Sequence, residues 1–505
     1  MLPKADPTWT IFEAAHLLNR AGFGGDPDDI RNFHALGREK AVDSLLSPTE
    51  PINAFPLPAW TSDEQALADM KERIGQRQAA QLAKKELSPE QADMKIREVQ
   101  KEIQKENRQR TLEAQGWWFR RMLKTQAPLR EKMTLFWHDH FATSFQKVKQ
   151  PVLLIKQNEL FRRQAFGSFK DLTQSILMDP AMLLYLDTES SKKGQPNENF
   201  AREVMELFTL GEGHYTEQDI HEAARAFTGY RLNRATGKVI HNKRQWDETD
   251  KTVFGKTGPF AGPDVINLIF GKKEPARFMT RKLWEFFVYE KPSESAINAL
   301  AEGFQKADFK TGPLLREIFL SKEFYSESAM RSQIKCPVQY LVGLLKQLEI
   351  SSPPVGFPIV AEQQLGQVLF MPPNVAGWDW GQAWINTNTL LTRYNLAGFL
   401  TKGAGDAGKS MAEERMKSKG KAAAKNMGIG WKGPDYEKIA PRPLRDNPSD
   451  LVDSLIFRFF QDPVPEKART SFIEYAKDKK GVVFTNKEVG ELCHLMLSTP
   501  YYQLC

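Results

Sequence analysis

The chain has 505 residues, 41% hydrophobic and 11% aromatic, with 70 Lys and Arg against 63 Asp and Glu for a net charge of +7. Such a chain buries a large core and is not a disordered polymer. Lys and Arg interleave with Asp and Glu almost everywhere and form no compact basic motif, which argues against nucleic acid as the main partner.

Three cysteines, Cys336, Cys493 and Cys505, lack metal-finger spacing, and their odd number excludes a disulfide framework. A single Cys493–Cys505 bridge stays open. The N-terminal stretch MLPKADPTWTIFEAAHLLNRAGFG has no apolar signal core and no twin arginine. No apolar run is long enough to span a bilayer. The chain therefore reads as soluble, either cytoplasmic or exported by a signal this sequence does not carry.

In chain order, Thr8 to Arg20 predicts an amphipathic helix that stops at Gly22-Phe23-Gly24-Gly25. Pro27 to Leu46 predicts a helix pair broken at Gly37. Ser62 to Leu87 and Pro89 to Thr125 are rich in Ala, Gln, Glu, Lys and Arg, all good helix formers. They predict a projecting antiparallel hairpin, split at Ser88-Pro89. In the next segment, EKMTLFWHDHFATS (131–144), His138 and His140 flank Asp139. At that spacing the two imidazoles lie on one side of a strand but about 200° apart on a helix, so they chelate only if the backbone leaves helical geometry.

Phe161 to Leu186 continues as helix. Then Pro196 to Tyr230, PNENFAREVMELFTLGEGHYTEQDIHEAARAFTGY, concentrates carboxylates on two short helical segments around Gly211-Glu212-Gly213. Thr216 and Asp219 form a capping box. If the acidic faces turn inward, Glu198, Glu203 and Glu206 with His138 and His140 form a divalent-metal site. Glu203, Glu206, Asp219 and Glu222 would then act as ligands or general bases, with Arg202 and Arg225 stabilising an anion. If the faces turn outward, the same residues make surface pairs such as Arg202–Glu206 and Glu222–Arg225.

Tyr230 to His241 alternates around Ala235-Thr236-Gly237 and carries the one convincing β-hairpin signal. Gln245 to Gly258 reads as a polar loop. Helices follow at Ala276–Val288, Ser293–Phe309, Pro313–Phe324 and Pro337–Glu349, then a proline-rich linker from Ser351 to Pro358. The run GQVLFMPPNVAGWDWGQAWINTNTLLTR (366–393) predicts an ordered, tryptophan-rich loop that lines a pocket or plugs the core. Thr401 to Pro443 reads as a flexible basic insertion. Ser449 to Cys505 is again helical.

The fold expected is mostly α, a multi-helix globular array with a projecting charged hairpin and one small β-hairpin. The divisions are 1–61 for N-terminal helices, 62–115 for the hairpin, and 116–400 for a core carrying the acidic motif and the 371–384 loop. The basic insertion occupies 401–447 and the C-terminal helices 448–505.

HLLNRAGFG (16–24), KMTLFWHDHFATS (132–144), the 196–230 run and MPPNVAGWDWG (371–381) together resemble the bacterial "domain of unknown function 1800" family over nearly the whole chain. Asn197, Glu198, Asn199, Arg202, Glu203, Glu206, Tyr215, Asp219, Glu222, Arg225, Gly229, His138 and His140 match its pattern. One departure is Trp246, where the family pattern often has histidine. The resemblance implies a mostly helical protein, often exported, paired with a sulfatase-like "domain of unknown function 1501" family protein. The functional expectation is a binding or assembly protein with a protein or polysaccharide partner. The alternative is a metal-dependent hydrolytic or oxidative enzyme built on the carboxylate cluster.

Overall fold

A computed structural model describes residues 2–86, 88–234, 236–354, 356–402, 433–479 and 484–505. The protein is 63% helical, with 24 helices and only two small antiparallel two-strand sheets among the described residues. Most of the predicted insertion, 403–432, and the hairpin's turn residue Ala235 lie outside the described residues.

Side-chain chemistry sets the helix starts. In α1 (Ile11–Arg20) Thr10 and Glu13 cap each other reciprocally, and its buried face carries Ala14, Ala15, Leu17 and Leu18. The pair α2 (Pro27–Ala35) and α3 (Arg38–Leu46) meets at Gly37. The charged hairpin is α4 (Asp63–Glu86) and α5 (Pro89–Lys124), with Ser88 and Gln91 forming the capping box of α5. The last turns of α5 enter the core through Trp117, Trp118 and Phe119.

The core helix is α6 (Pro128–His140), buried along almost its whole length. Around it run α7 (Phe145–Val148), α8 (Pro151–Arg163), α9 (Phe169–Leu177) and α10 (Pro180–Tyr185). A buried ion triad joins α5, α6 and α8. Glu131 accepts from Arg121 Nε at 2.7 Å, from Arg162 Nε and Nη2 at 2.6 and 2.8 Å, and from Trp118 Nε1 at 3.1 Å. Desolvation alone would raise the Glu131 pKa. The two guanidiniums outweigh it and hold the carboxyl below its ordinary value.

The acidic motif forms α11 (Asn199–Glu203), which continues as a π-helical turn over Val204–Thr209, and then α12 (Glu217–Ala226). Next come β1 (Tyr230–Asn233) paired with β2 (Lys238–His241), in the register Tyr230↔His241. A second hairpin, β3 (Lys251–Val253) with β4 (Lys256–Gly258), stands where the sequence predicts only a polar loop. Its three-residue strands are too short to show alternation; α12 supplies the acceptors that hold it.

Helices α13 (Gly262–Phe270), α14 (Glu274–Phe287), α15 (Glu294–Lys306), α16 (Thr311–Phe319) and α17 (Pro337–Gln347) follow. The predicted linker ends inside a further helix, α18 (Phe357–Leu365), whose Pro358 occupies the first turn, where no N–H is needed. The predicted 366–393 loop is shorter than expected, because α19 spans Thr387–Lys402. Cys336, Cys493 and Cys505 are all free thiols, so no Cys493–Cys505 bridge forms. Among the described residues no helix is long and apolar enough to cross a membrane.

Candidate functional site

The residues singled out by the sequence fall into three neighbouring groups. The first lies on the π turn and the start of α12. The π winding takes one extra residue per turn, with Leu210 N–H donating to Met205 O, five residues back, at 2.8 Å. It buries Val204, Met205 and Phe208 and leaves Glu203 and Glu206 half-buried at the surface. Tyr215 OH donates to Glu206 at 2.5 Å. Arg202 forks onto Glu217 at 3.0 and 2.7 Å and lies 3.6 Å from Glu198. The expected Arg202–Glu206 pair is thus replaced by a cross-helix pair. Glu198 also meets His221 Nδ1 at 3.3 Å. The Glu203 carboxyl has no hydrogen-bond partner among the described residues. Burial, then the neighbouring Glu206, raises its pKa, while Arg202 opposes.

The second group anchors the second hairpin. Asp219 caps Thr216 N–H at 2.9 Å and accepts from Phe254 N–H at 2.7 Å. Glu222 accepts from Thr252 N–H at 3.0 Å and from Arg225 at 2.8 Å. Arg225 continues to Asp247 at 2.9 Å, and the Asp247 carboxyl sits down at about 2 because bonds from Thr249 and Arg225 outweigh its burial. Trp246 packs edge-on against His241 and under the Lys251 ammonium, 5.0 Å from the ring centre. Gly229, at φ +84°, lets the backbone turn there: a Cβ would stand 2.8 Å from Asn242 O.

The third group is in the core. Because α6 stays helical through His140, the two imidazoles diverge. His138 sits among the rings of Trp118, Phe161, Phe370 and Trp378, and its Nε2 has no partner. Burial drives its pKa down to about 3. His140 Nε2 lies 3.0 Å from Phe208 O and its Nδ1 3.3 Å from Lys282 Nζ. It therefore reaches the backbone of the π turn rather than its carboxylates.

Asp139, between them, accepts from Trp378 N–H at 2.7 Å and pins the tryptophan-rich loop to the core. Burial pushes its carboxyl up to about 7, against the Trp378 bond and the Lys282 charge. Lys282 is a residue the sequence reading passed over. Its signal was available: it interrupts the apolar stripe Phe278–Lys282–Phe286 at i,i+4 spacing. Burial lowers its pKa despite Asp139.

The pinned loop ends in display. Trp378 and Trp384 are buried, while Trp380 is 47% exposed and braced edge-to-face on Phe286 at 5.0 Å. The chain then enters α19, whose first turns expose Leu390, Leu391 (58%) and Tyr394 (50%). Tyr394 packs at a tilt against His494, ring centres 4.5 Å apart, and Leu495 next to His494 in sequence is also exposed.

The structure thus brings Glu198, Arg202, Glu203 and Glu206 together, and separately Asp219, Glu222 and Arg225. His138 and His140 belong to neither group. Among the described residues no set of three or more His, Cys, Asp or Glu side chains is arranged to hold a metal ion.

These features define a mostly helical protein with a braced aromatic surface segment and an acidic motif that knits helices together. The family model "Protein of unknown function (DUF1800)" matches residues 16–504, and the chain belongs to that family. Comparison with curated proteins and with solved structures gives no match.

Proposed function

We propose that the protein is a binding or assembly protein that presents residues 379–394 to a partner protein. The observation that carries this reading is the exposure of Trp380, Leu390, Leu391 and Tyr394 on the stretch that follows Trp378, whose N–H donates to the buried Asp139. Trp and Tyr dominate binding energy at interfaces, and preorganised contacts lose little entropy on docking. The ion pairs and hairpin contacts of Glu198, Glu206, Asp219 and Glu222 support a knitting role for the acidic motif. The partner proposed is the sulfatase-like "domain of unknown function 1501" protein expected from the family resemblance. Calorimetric titration of the two purified proteins tests it. Trp380→Ala and Leu391→Asp are each expected to weaken the complex about tenfold or more. No complex, or an affinity that both variants keep unchanged from the unmodified protein, refutes it.

One observation favours a second reading, a metal-dependent enzyme. Glu203 carries a raised pKa beside Glu206 and has no hydrogen-bond partner among the described residues. Metal analysis of the purified protein, alongside Glu203→Gln and Glu206→Gln, separates the two readings. Substoichiometric metal, with a melting temperature unchanged by chelator, excludes the enzyme.

A further inference from the structure

Four cations lie in the interior where α1, α6, α19 and the segment 329–336 meet the end of the chain, residues 501–505. Arg20 and Arg393 are each 1% exposed, and Lys132 and Lys335 are nearly as buried. Among the described residues none of the four makes an ion pair. Their hydrogen bonds go to neutral oxygens, and Lys132, Lys335 and Arg393 also lie over the rings of Phe23, Phe286, Tyr502 and Tyr340. Arg20 donates to Ala329 O and to Ser332 Oγ at 2.9 Å. Arg393 donates to Gln503 Oε1 at 3.0 Å and to Lys335 O at 2.9 Å. Lys132 donates to Gln339 Oε1 at 2.7 Å, and Lys335 to Tyr502 O at 2.8 Å. Cys505 favours the charged forms of Arg20, Lys132 and Lys335, and Cys336 those of Lys132 and Arg393, but burial outweighs both and lowers the pKa of all four cations.

Carbonyl and amide oxygens satisfy donors but do not cancel charge. A buried lysine escapes by losing its proton, and burial brings Lys335 down to about 7. A guanidinium has no such exit at neutral pH. The donors are also incompletely used: Arg20 Nε and Nη1 and Arg393 Nε are buried with no acceptor among the described residues. Buried donors left unmade carry their full desolvation cost, larger when charged. A single group with several lone pairs and negative charge answers both deficits. The planar guanidinium fork suits a carboxylate-like or tetrahedral oxygen edge better than a spherical ion.

We propose that this interior cluster binds a compact inorganic oxyanion, phosphate or sulfate in class, with Arg20, Lys132, Lys335 and Arg393 as its ligands. The anion ties α1 and α6 to the 329–336 segment and to residues 501–505. Of the four, only Arg393 falls within the proposed partner-binding segment, where it is buried, and the inference does not rest on that binding.

The test uses the whole purified protein. Ion chromatography after denaturation reads any anion carried through purification. Calorimetry reads the melting temperature against added phosphate and, in a parallel arm, sulfate, with sodium chloride at matched ionic strength as control. The expected result is a released oxyanion, or a melting temperature that climbs with the logarithm of oxyanion concentration and not with chloride. Lys132→Met and Lys335→Met are each expected to lose that response while still unfolding cooperatively. Arg20 is left in place because it also anchors Ala329 and Ser332. No released anion together with equal curves in oxyanion and chloride overturns the proposal, as does a phosphate or sulfate response that both variants retain in full.

Discussion

At Gly377 two constraints coincide: φ is +91°, and a Cβ would stand 2.3 Å from Asp139 Oδ1 and 2.7 Å from the Asp139 carbonyl oxygen. The second contact is to backbone of a buried helix, which cannot yield. Gly377→Ala is therefore expected to destabilise the fold by about 1–3 kcal/mol. It should also move Trp380, read together as a urea midpoint and a change in tryptophan emission. An unchanged midpoint would show that the loop is not pinned as described. Glu131 makes the same point with charge. Replacing it by Gln leaves Arg121 buried without its paired carboxylate and Arg162 with Glu159 alone, so Glu131→Gln should cost about 3–5 kcal/mol by chemical denaturation. A loss below about 1 kcal/mol would mean that solvent reaches the triad.

At the scale of elements, legibility in the sequence tracks how local the determinants are. The hairpin α4–α5 is readable because residue propensities and the Ser88-Pro89 break act within the segment. The capping box at Thr216 and Asp219 is local too, and it forms as expected. The π turn escaped because a wheel at 100° per residue cannot register an inserted residue. The second hairpin escaped because its hydrogen-bond acceptors, Asp219 and Glu222, sit on another element. Those same carboxylates suggested a ligand set by composition, yet the backbone N–H groups that engage them cannot be read from spacing. Trimming the outer hairpin tests the local reading. Asn107 is where α5 begins to contact the body, donating to Lys149 O at 2.8 Å. Replacing residues 70–104 with a short flexible linker changes mainly loop-closure entropy, about 0.6 kcal/mol per doubling of length. The melting temperature of the remainder should barely move. A large drop would show that the outer hairpin braces the body.

For the molecule as a whole, three interior carboxyls set an unusual response to pH. Burial raises Asp139 and Asp179 to about 7 and Glu362 to about 8, in each case against hydrogen bonds that pull the other way. In the unfolded chain these groups titrate near their model values of 3.8, 3.8 and 4.5. Between those limits the folded protein holds more protons than the unfolded one, so these groups make stability fall as pH rises. The penalty is absent below about pH 4 and complete above about pH 8. At 1.36 kcal/mol per pKa unit it reaches roughly 4 kcal/mol for each group. The ion-paired Asp247, lowered to about 2, acts oppositely, but its effect is spent below about pH 4. Asp139→Asn and Glu362→Gln keep the side-chain shape and an acceptor oxygen while removing the ionisation. Relative to the unmodified protein, the variants should therefore gain stability from pH 5 until about pH 7 for Asp139→Asn and about pH 8 for Glu362→Gln and then level off, measured as urea midpoints from pH 5 to about pH 8.5 at fixed ionic strength. A difference that stays flat across that range would place these carboxyls in water, and with them the anchor of the Trp380 loop.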